Sequence, residues 1–245
     1  MLNRRKLLSS VTFVLHQDEK TSVKIFATGD ERRMNELKLK LGNEISSDGV
    51  NRENVSALMN YDVIFDLNAD EKNAALDQFT FLENKLVIVC AVKKSLSILI
   101  GEAKREIKSH VVGMNLLPTF INREQLEVLF PNNESRKSFT DFASKMKTDF
   151  LEVEDRVGMV TPRVICMIIN EACFSLQAGV ASMTDIDKAM RLGTNYPYGP
   201  LEWCDRIGVK DAYETLEAIW NDTKDRRYEI CPLLREKFLN GETFY

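Results

Sequence analysis

The chain has 245 residues, 44% of them hydrophobic and 29% charged, with a formal net charge of −4. That length accommodates one large domain or two modest ones, and the balance of apolar and charged residues is that of a soluble globular protein. Scattered Lys and Arg on a net-negative chain exclude a nucleic-acid surface, which needs clustered positive charge, and no run approaches the length of a membrane-spanning helix.

Residues 1–20 begin with Arg4, Arg5 and Lys6 ahead of a brief apolar run, superficially like an export signal. The run is followed at once by polar residues and has no small-residue cleavage site, so an added strand or ordered arm is the expected reading. From Val23 onward, short β-rich runs alternate with helical segments. Strands are predicted at 23–27, 61–65, 85–92, 110–114, 125–130 and 149–153, with a further one at 44–47. Helices are predicted at 32–41, 69–82, 95–107 and 135–146. Alternation of this kind implies a parallel sheet with right-handed crossovers, a Rossmann-like α/β domain over residues 1–156. Residues 157–245 then read as all-α. Pro162 opens a helix ended by Gly179, Thr184 and Asp187 form a capping-box-like start to the next, and helices follow from Pro200, Ala212 and Pro232.

The helical part carries several short motifs in order: NEA at Asn170 to Ala172, GVAS at Gly179 to Ser182, DIDKAMRLG at Asp185 to Gly193, YPYGP at Tyr196 to Pro200, and D-x-x-G at Asp205 to Gly208. These resemble the helical C-terminal domain of 3-hydroxyacyl-CoA dehydrogenases, and the resemblance runs continuously through residues 157–245. It implies a degenerate NAD-binding-type domain ahead of it, a homodimer formed through the helical domain, an acyl-CoA ligand, and a place in fatty-acid metabolism in the cytoplasm. The family reaction is the NAD-dependent interconversion of (3S)-3-hydroxyacyl-CoA and 3-oxoacyl-CoA.

In such a domain the dinucleotide lies where the first strand turns into the first helix, and glycines there let the backbone approach the pyrophosphate. The family's G-x-G-x-x-G falls on Ala27 to Arg32, so Gly29 is the surviving glycine and the one cofactor-binding candidate. Asp30 and Glu31 oppose an anion there by Coulomb repulsion, partly offset by Arg32 and Arg33. Arg32 also puts a long side chain where close helix–strand packing wants glycine. Asp48 stands where an acidic residue would bind the adenosine ribose, although Asp48-Gly49 also reads as a plain turn.

The family's catalysis needs a histidine to move a proton, because imidazole titrates near neutrality. The resemblance places Asn115 at that position, and asparagine does not titrate in this range. Glu127 falls on the family's glutamate, which orients the imidazole; it reads equally as a strand-end glutamate with a polar partner. Lys94 falls on the substrate-binding serine, with Ser95 as the alternative if the alignment slips by one, and Pro162 falls on the asparagine. His110 and His16 are remote substitutes.

No zinc spacing, phosphate loop or nucleophile turn is present. The five cysteines, Cys90, Cys166, Cys173, Cys204 and Cys231, make no C-x-x-C pair and read as reduced thiols. Trp203 and Trp220 read as core or subunit-interface residues. Two functions follow: a family homologue weak or silent in catalysis, serving as a binding or assembly protein, or an active dehydrogenase using a non-standard site.

Overall fold

The computed structural model describes residues 23–42, 45–46 and 52–245. Its elements in order are β1 (Ile25–Thr28), α1 (Glu31–Leu41), β2 (Ile45–Ser46), β3 (Val63–Asp66), β4 (Leu86–Cys90), α2 (Leu96–Gly101), β5 (His110–Met114), β6 (Gln125–Leu129), α3 (Asn133–Met146), β7 (Asp149–Glu152), α4 (Thr161–Gln177), α5 (Met183–Thr194), α6 (Pro200–Ile207), α7 (Val209–Thr223) and α8 (Pro232–Asn240). The arm at 1–20, His16 and Asp48 lie outside the described residues.

The strands form one seven-stranded sheet in the order β2-β1-β3-β4-β5-β6-β7. The fold is α/β with an all-helical part after the sheet, as the alternation of patterns implies. Strand β4, Leu-Val-Ile-Val-Cys, is buried along its whole length, which is why its sequence shows no alternation: a parallel strand covered on both faces is apolar throughout. Helix α3 covers one face through Phe139, Phe142 and Ala143, and Phe139 meets Phe150 edge-on at 5.2 Å between centroids, a favoured aromatic geometry.

Three local expectations are corrected. The sheet is not wholly parallel, because β6 pairs with β5 antiparallel, while β7 runs parallel to β6. Only residues 115–124 join β5 to β6, with no helix among them, and a parallel partner needs a longer crossover. The helix expected at 69–82 is two 3-10 turns, Ala69–Glu71 and Ala75–Phe79, separated where Ala74 adopts a left-handed φ of 49°. The helix expected at 95–107 ends at Gly101, where Glu102 turns its carboxylate onto the Lys94 ammonium and the Ala74 amide.

The second helix of the helical part is also capped differently from the expected Thr184–Asp187 box. Ser182 is its N-cap and accepts from Asp185 N at 3.2 Å. Asp187 reaches forward and accepts from Leu201 N and Glu202 N, both at 2.8 Å, so it caps α6. Gly199 makes this approach possible, since a Cβ there would lie 2.3 Å from Asp187 Cβ.

Helix α4 is the centre of the helical part and buries Ile165, Cys166, Ile169 and Cys173. Burying each of the two isoleucines contributes about 1.5–3 kcal/mol. All five cysteines are buried free thiols. The connector between sheet and helices is pinned at Gly158, whose N–H donates to Val92 O at 2.6 Å. Gly158 has φ +84°, and a Cβ there would lie 2.6 Å from Ile219 Cδ1 on α7, so glycine suits this joint on two counts. Among the described residues, no helix is long and apolar enough to cross a membrane.

Candidate functional site

Two places deserve the chemistry, the turn after β1 and the end of β5 with the start of α4. At the first, Gly29 leaves β1 with φ +154°, and a Cβ there would lie 2.5 Å from Leu67 Cβ. Asp30 is the N-cap of α1 and accepts from Arg33 N at 3.0 Å. Its own N–H donates to Asn68 Oδ1 at 2.9 Å, and Asn68 Nδ2 donates back to Asp30 Oδ2 at 3.1 Å. The turn is thereby stitched to the end of β3 by its own polar groups.

Arg33, not Arg32, points inward. It is 0% exposed and donates from Nη1 to Leu67 O and from Nη2 to Glu71 Oε1 at 2.8 Å and Asp211 Oδ1 at 2.7 Å. Lys93, in the loop after β4, donates to the same Asp211 oxygen at 2.7 Å, to Glu71 Oε1 at 3.0 Å, and to Glu214. Lys210 closes the set on Glu71 Oε2 at 2.9 Å and Glu214 Oε2 at 3.0 Å. Burial works against the charges of Arg33, Lys93, Lys210 and Glu71, and pairing offsets it. For Glu71 burial raises the carboxyl, but Lys210, Lys93 and Arg33 outweigh it and hold the pKa down at about 2. For Lys93 burial disfavours the ammonium, yet Asp211 and Glu214 keep its pKa above the ordinary lysine value. Glu71, Asp211 and Glu214 bring carboxylate oxygens within 4.8 Å of one another, but these three cations already take the place a metal would need. A cavity of about 500 Å³ opens beside the network, lined by Asp30, Arg32, Asn68 and Lys210 among others.

At the second place, Asn115 follows β5 and is 3% exposed. Its Oδ1 accepts from Leu117 N at 3.3 Å, and its backbone N–H donates to Glu127 O at 3.1 Å. The fold therefore brings Asn115 and Glu127 side by side on paired strands. Glu127 accepts from Val160 N at 3.2 Å and Thr161 N at 2.8 Å, so it satisfies two of the amides that a helix N-terminus leaves without intrahelical partners. Burial raises its carboxyl above the ordinary value, against the lowering effects of those two amides and of Arg123. The loop between β5 and β6 is fastened on both sides: Glu36 accepts from Thr119 N at 2.7 Å, and Trp203 Nε1 donates to Thr119 Oγ1 at 2.9 Å. Arg123 lies over the Phe120 ring at 4.6 Å and the Trp203 ring at 5.5 Å, an arrangement that favours the cation.

Lys94 is directed elsewhere, to Glu102 at 2.8 Å and Lys72 O at 2.9 Å. Ser95 is the N-cap of α2. Pro162 is buried in the first turn of α4 and offers no N–H. His110 opens β5, half-buried. Sequence reasoning missed Asp211 and Glu214 altogether, and their only sequence signal is a pair of acids on a helix face beginning just after Gly208.

Residues 158–243 match the family model of the 3-hydroxyacyl-CoA dehydrogenase C-terminal domain. The chain is a homologue of the 3-hydroxyacyl-CoA dehydrogenases. It is 44% identical over 109 residues to the 3-hydroxyadipyl-CoA dehydrogenase of Escherichia coli, which is 44% of this chain and 23% of that protein. It is 31% identical over 181 residues to a probable 3-hydroxybutyryl-CoA dehydrogenase of Bacillus subtilis, 71% of this chain and 63% of that protein. The chain thus spans less than two thirds of the length of either relative. Among solved structures, M. tuberculosis FadB2 aligns with a TM-score of 0.69 at 16% identity, covering 90% of this chain and 94% of that one. The (S)-3-hydroxybutyryl-CoA dehydrogenase of Ralstonia eutropha aligns with a TM-score of 0.65 at 24% identity, covering 81% and 71%. Both likenesses are of fold. Of the four residues expected from the resemblance, Asn115 and Glu127 lie together, whereas Gly29 lies at the β1 turn and Lys94 pairs with Glu102.

Proposed function

We propose that this chain is a 3-hydroxyacyl-CoA dehydrogenase homologue that is weak or silent in the family reaction and serves as a binding or assembly protein in the cytoplasm. The observation that carries the reading is Asn115 at the acid–base position: a buried amide engaged with Leu117 N neither gives nor takes a proton near neutral pH. Glu127, which would support an imidazole, is spent on the N-terminus of α4. Lys94 and Pro162 supply neither the hydroxyl nor the amide that would hold a substrate.

The turn after β1 does not fit a bound NAD. Asp30 is both capped and capping, Glu71 is held ionised, and Arg33 fills the interior where close backbone approach would be needed. A pyrophosphate would meet the carboxylates of Asp30 and Glu71 on the same cavity wall as Arg32, and those two negative charges oppose it. The retained motifs over residues 157–245 support a helical domain distinct from the sheet domain at 1–156, an acyl-CoA as the ligand class, and a homodimer through the helical domain. Exposed Val180 and Leu192, at 73% and 71%, are apolar surface in keeping with that association.

The test is NADH oxidation in the presence of acetoacetyl-CoA by the full chain. No turnover above background is expected. Robust turnover would overturn the silent reading and favour an active dehydrogenase with a non-standard site.

A further inference from the structure

We infer that the Arg33, Lys93 and Lys210 network with Glu71, Asp211 and Glu214 is an interdomain clasp at the wall of the crevice beside the first strand, holding the sheet and the helices in one arrangement. The inference deepens the proposed function and rests on its reading of the β1 turn, but not on the missing histidine.

The clasp is defined by which elements it joins. Arg33 comes from α1, Glu71 from the 3-10 turn after β3, Lys93 from the loop after β4, and Asp211, Glu214 and Lys210 from α7. Its central contact is Asp211 Oδ1, which accepts at 2.7 Å from both Arg33 and Lys93. One oxygen of the helical part therefore holds two cations of the sheet part. Arg32 adds a second crossing, with Nη1 donating to Asp205 O at 3.4 Å just ahead of Gly208.

Burial makes the joint directional. Arg33 has 0% side-chain exposure and Lys93 7%, so parting α7 from the sheet would leave a guanidinium and an ammonium with half their anionic partners gone. A buried ion whose partner is removed is strongly disfavoured, although the intact pair contributes little net stability. Opposite charges at these distances thus specify one arrangement of the two parts more than they deepen its energy. The position supplies the second half of the argument. The C-terminal edge of a parallel sheet is where an open crevice receives ligands, and here Glu71, Lys210 and Asp211 of the clasp form part of the wall of the cavity that opens there.

The experiment uses the full-length protein and hydrogen exchange followed by mass spectrometry, with Asp211→Asn as the variant. Faster exchange by about tenfold is expected in residues 31–41 and 209–223, the two sides of the joint, with strands β5 to β7 unchanged. Unchanged exchange on both sides would overturn the clasp. Should Asp211→Asn fail to fold, Glu214→Gln at the rim reads the same segments, with a change of about threefold expected. Turnover reports on the proposed silence and exchange on the clasp, so the two can fail separately.

Discussion

Glu127 Oε1 accepts the backbone N–H of Thr161 at 2.8 Å, across 34 residues of sequence. The Glu127 carboxylate is therefore an anchor that docks the start of α4 on the sheet. That structural role governs what removal of the side chain does.

Glu127→Ala is expected to destabilise the protein by about 1 kcal/mol, the usual worth of a helix N-cap. Glu127→Gln keeps one acceptor and is expected to cost less. Urea unfolding of both variants checks the order. Because burial raises the Glu127 carboxyl, the stability tied to its protonation is fully present below the unfolded pKa and lost as pH rises through the folded one. Glu127→Gln should flatten that slope.

Asn115→His alone is expected to restore no substantial turnover with NADH and acetoacetyl-CoA, because the turn at Gly29 is altered as well. The assay is the same continuous loss of NADH absorbance used for the wild type. A substantial rate in this single mutant would mean that the cofactor site is intact.

Glu71 predicts an acid-side transition. Its carboxyl is held at about 2, below its unfolded value, despite burial. A depressed carboxylate contributes stability that is present above the unfolded pKa and is lost as pH falls through the folded pKa. Wild-type stability should therefore decline from the ordinary carboxylate range down to about pH 2. Glu71→Gln should show a shallower decline in the same window, read by urea midpoints at successive pH values.

Gly29→Ala is expected to lower stability by about 1–3 kcal/mol, since strain and overpacking act together. The new methyl would sit 2.5 Å from Leu67 Cβ on a backbone with φ +154°. Thermal unfolding by circular dichroism measures it, and an unchanged midpoint would mean the turn relaxes freely.

Leu192→Asp should weaken self-association at least about tenfold if the exposed apolar residues of the helical part form a homodimer, a charge in an apolar contact being costly. Sedimentation over a concentration series gives the answer. A wild-type chain that stays monomeric throughout would remove the dimer from the proposal.

Several features were legible in the sequence for physical reasons that act locally. The continuous apolar run of β4 and the buried stripe of α4 follow from the side-chain periods of strand and helix, and the motifs from Asn170 to Gly208 carried the family. Other readings failed where a distant partner intervened. Asp187 scored as a local capping residue, but the close approach allowed by Gly199 gives it the amides of α6 instead. The helix expected at 69–82 had adequate propensity, yet Asp70 turns in to accept from Val92 N and Lys93 N, and left-handed Ala74 breaks the run.

By itself the sequence determined the ancestry, the α/β-then-helical order, the glycine at Gly29 and the non-titrating side chain at Asn115, because each is a matter of residue identity or local period. The tertiary structure alone decided that Arg33 rather than Arg32 turns inward, that β6 reverses against β5, and that Asp211 fastens the helices to the sheet. Arg33 and Asp211 stand 178 residues apart. Charge pairs of that separation leave no periodic trace in a chain, and only the packing that buries them makes their pairing obligatory.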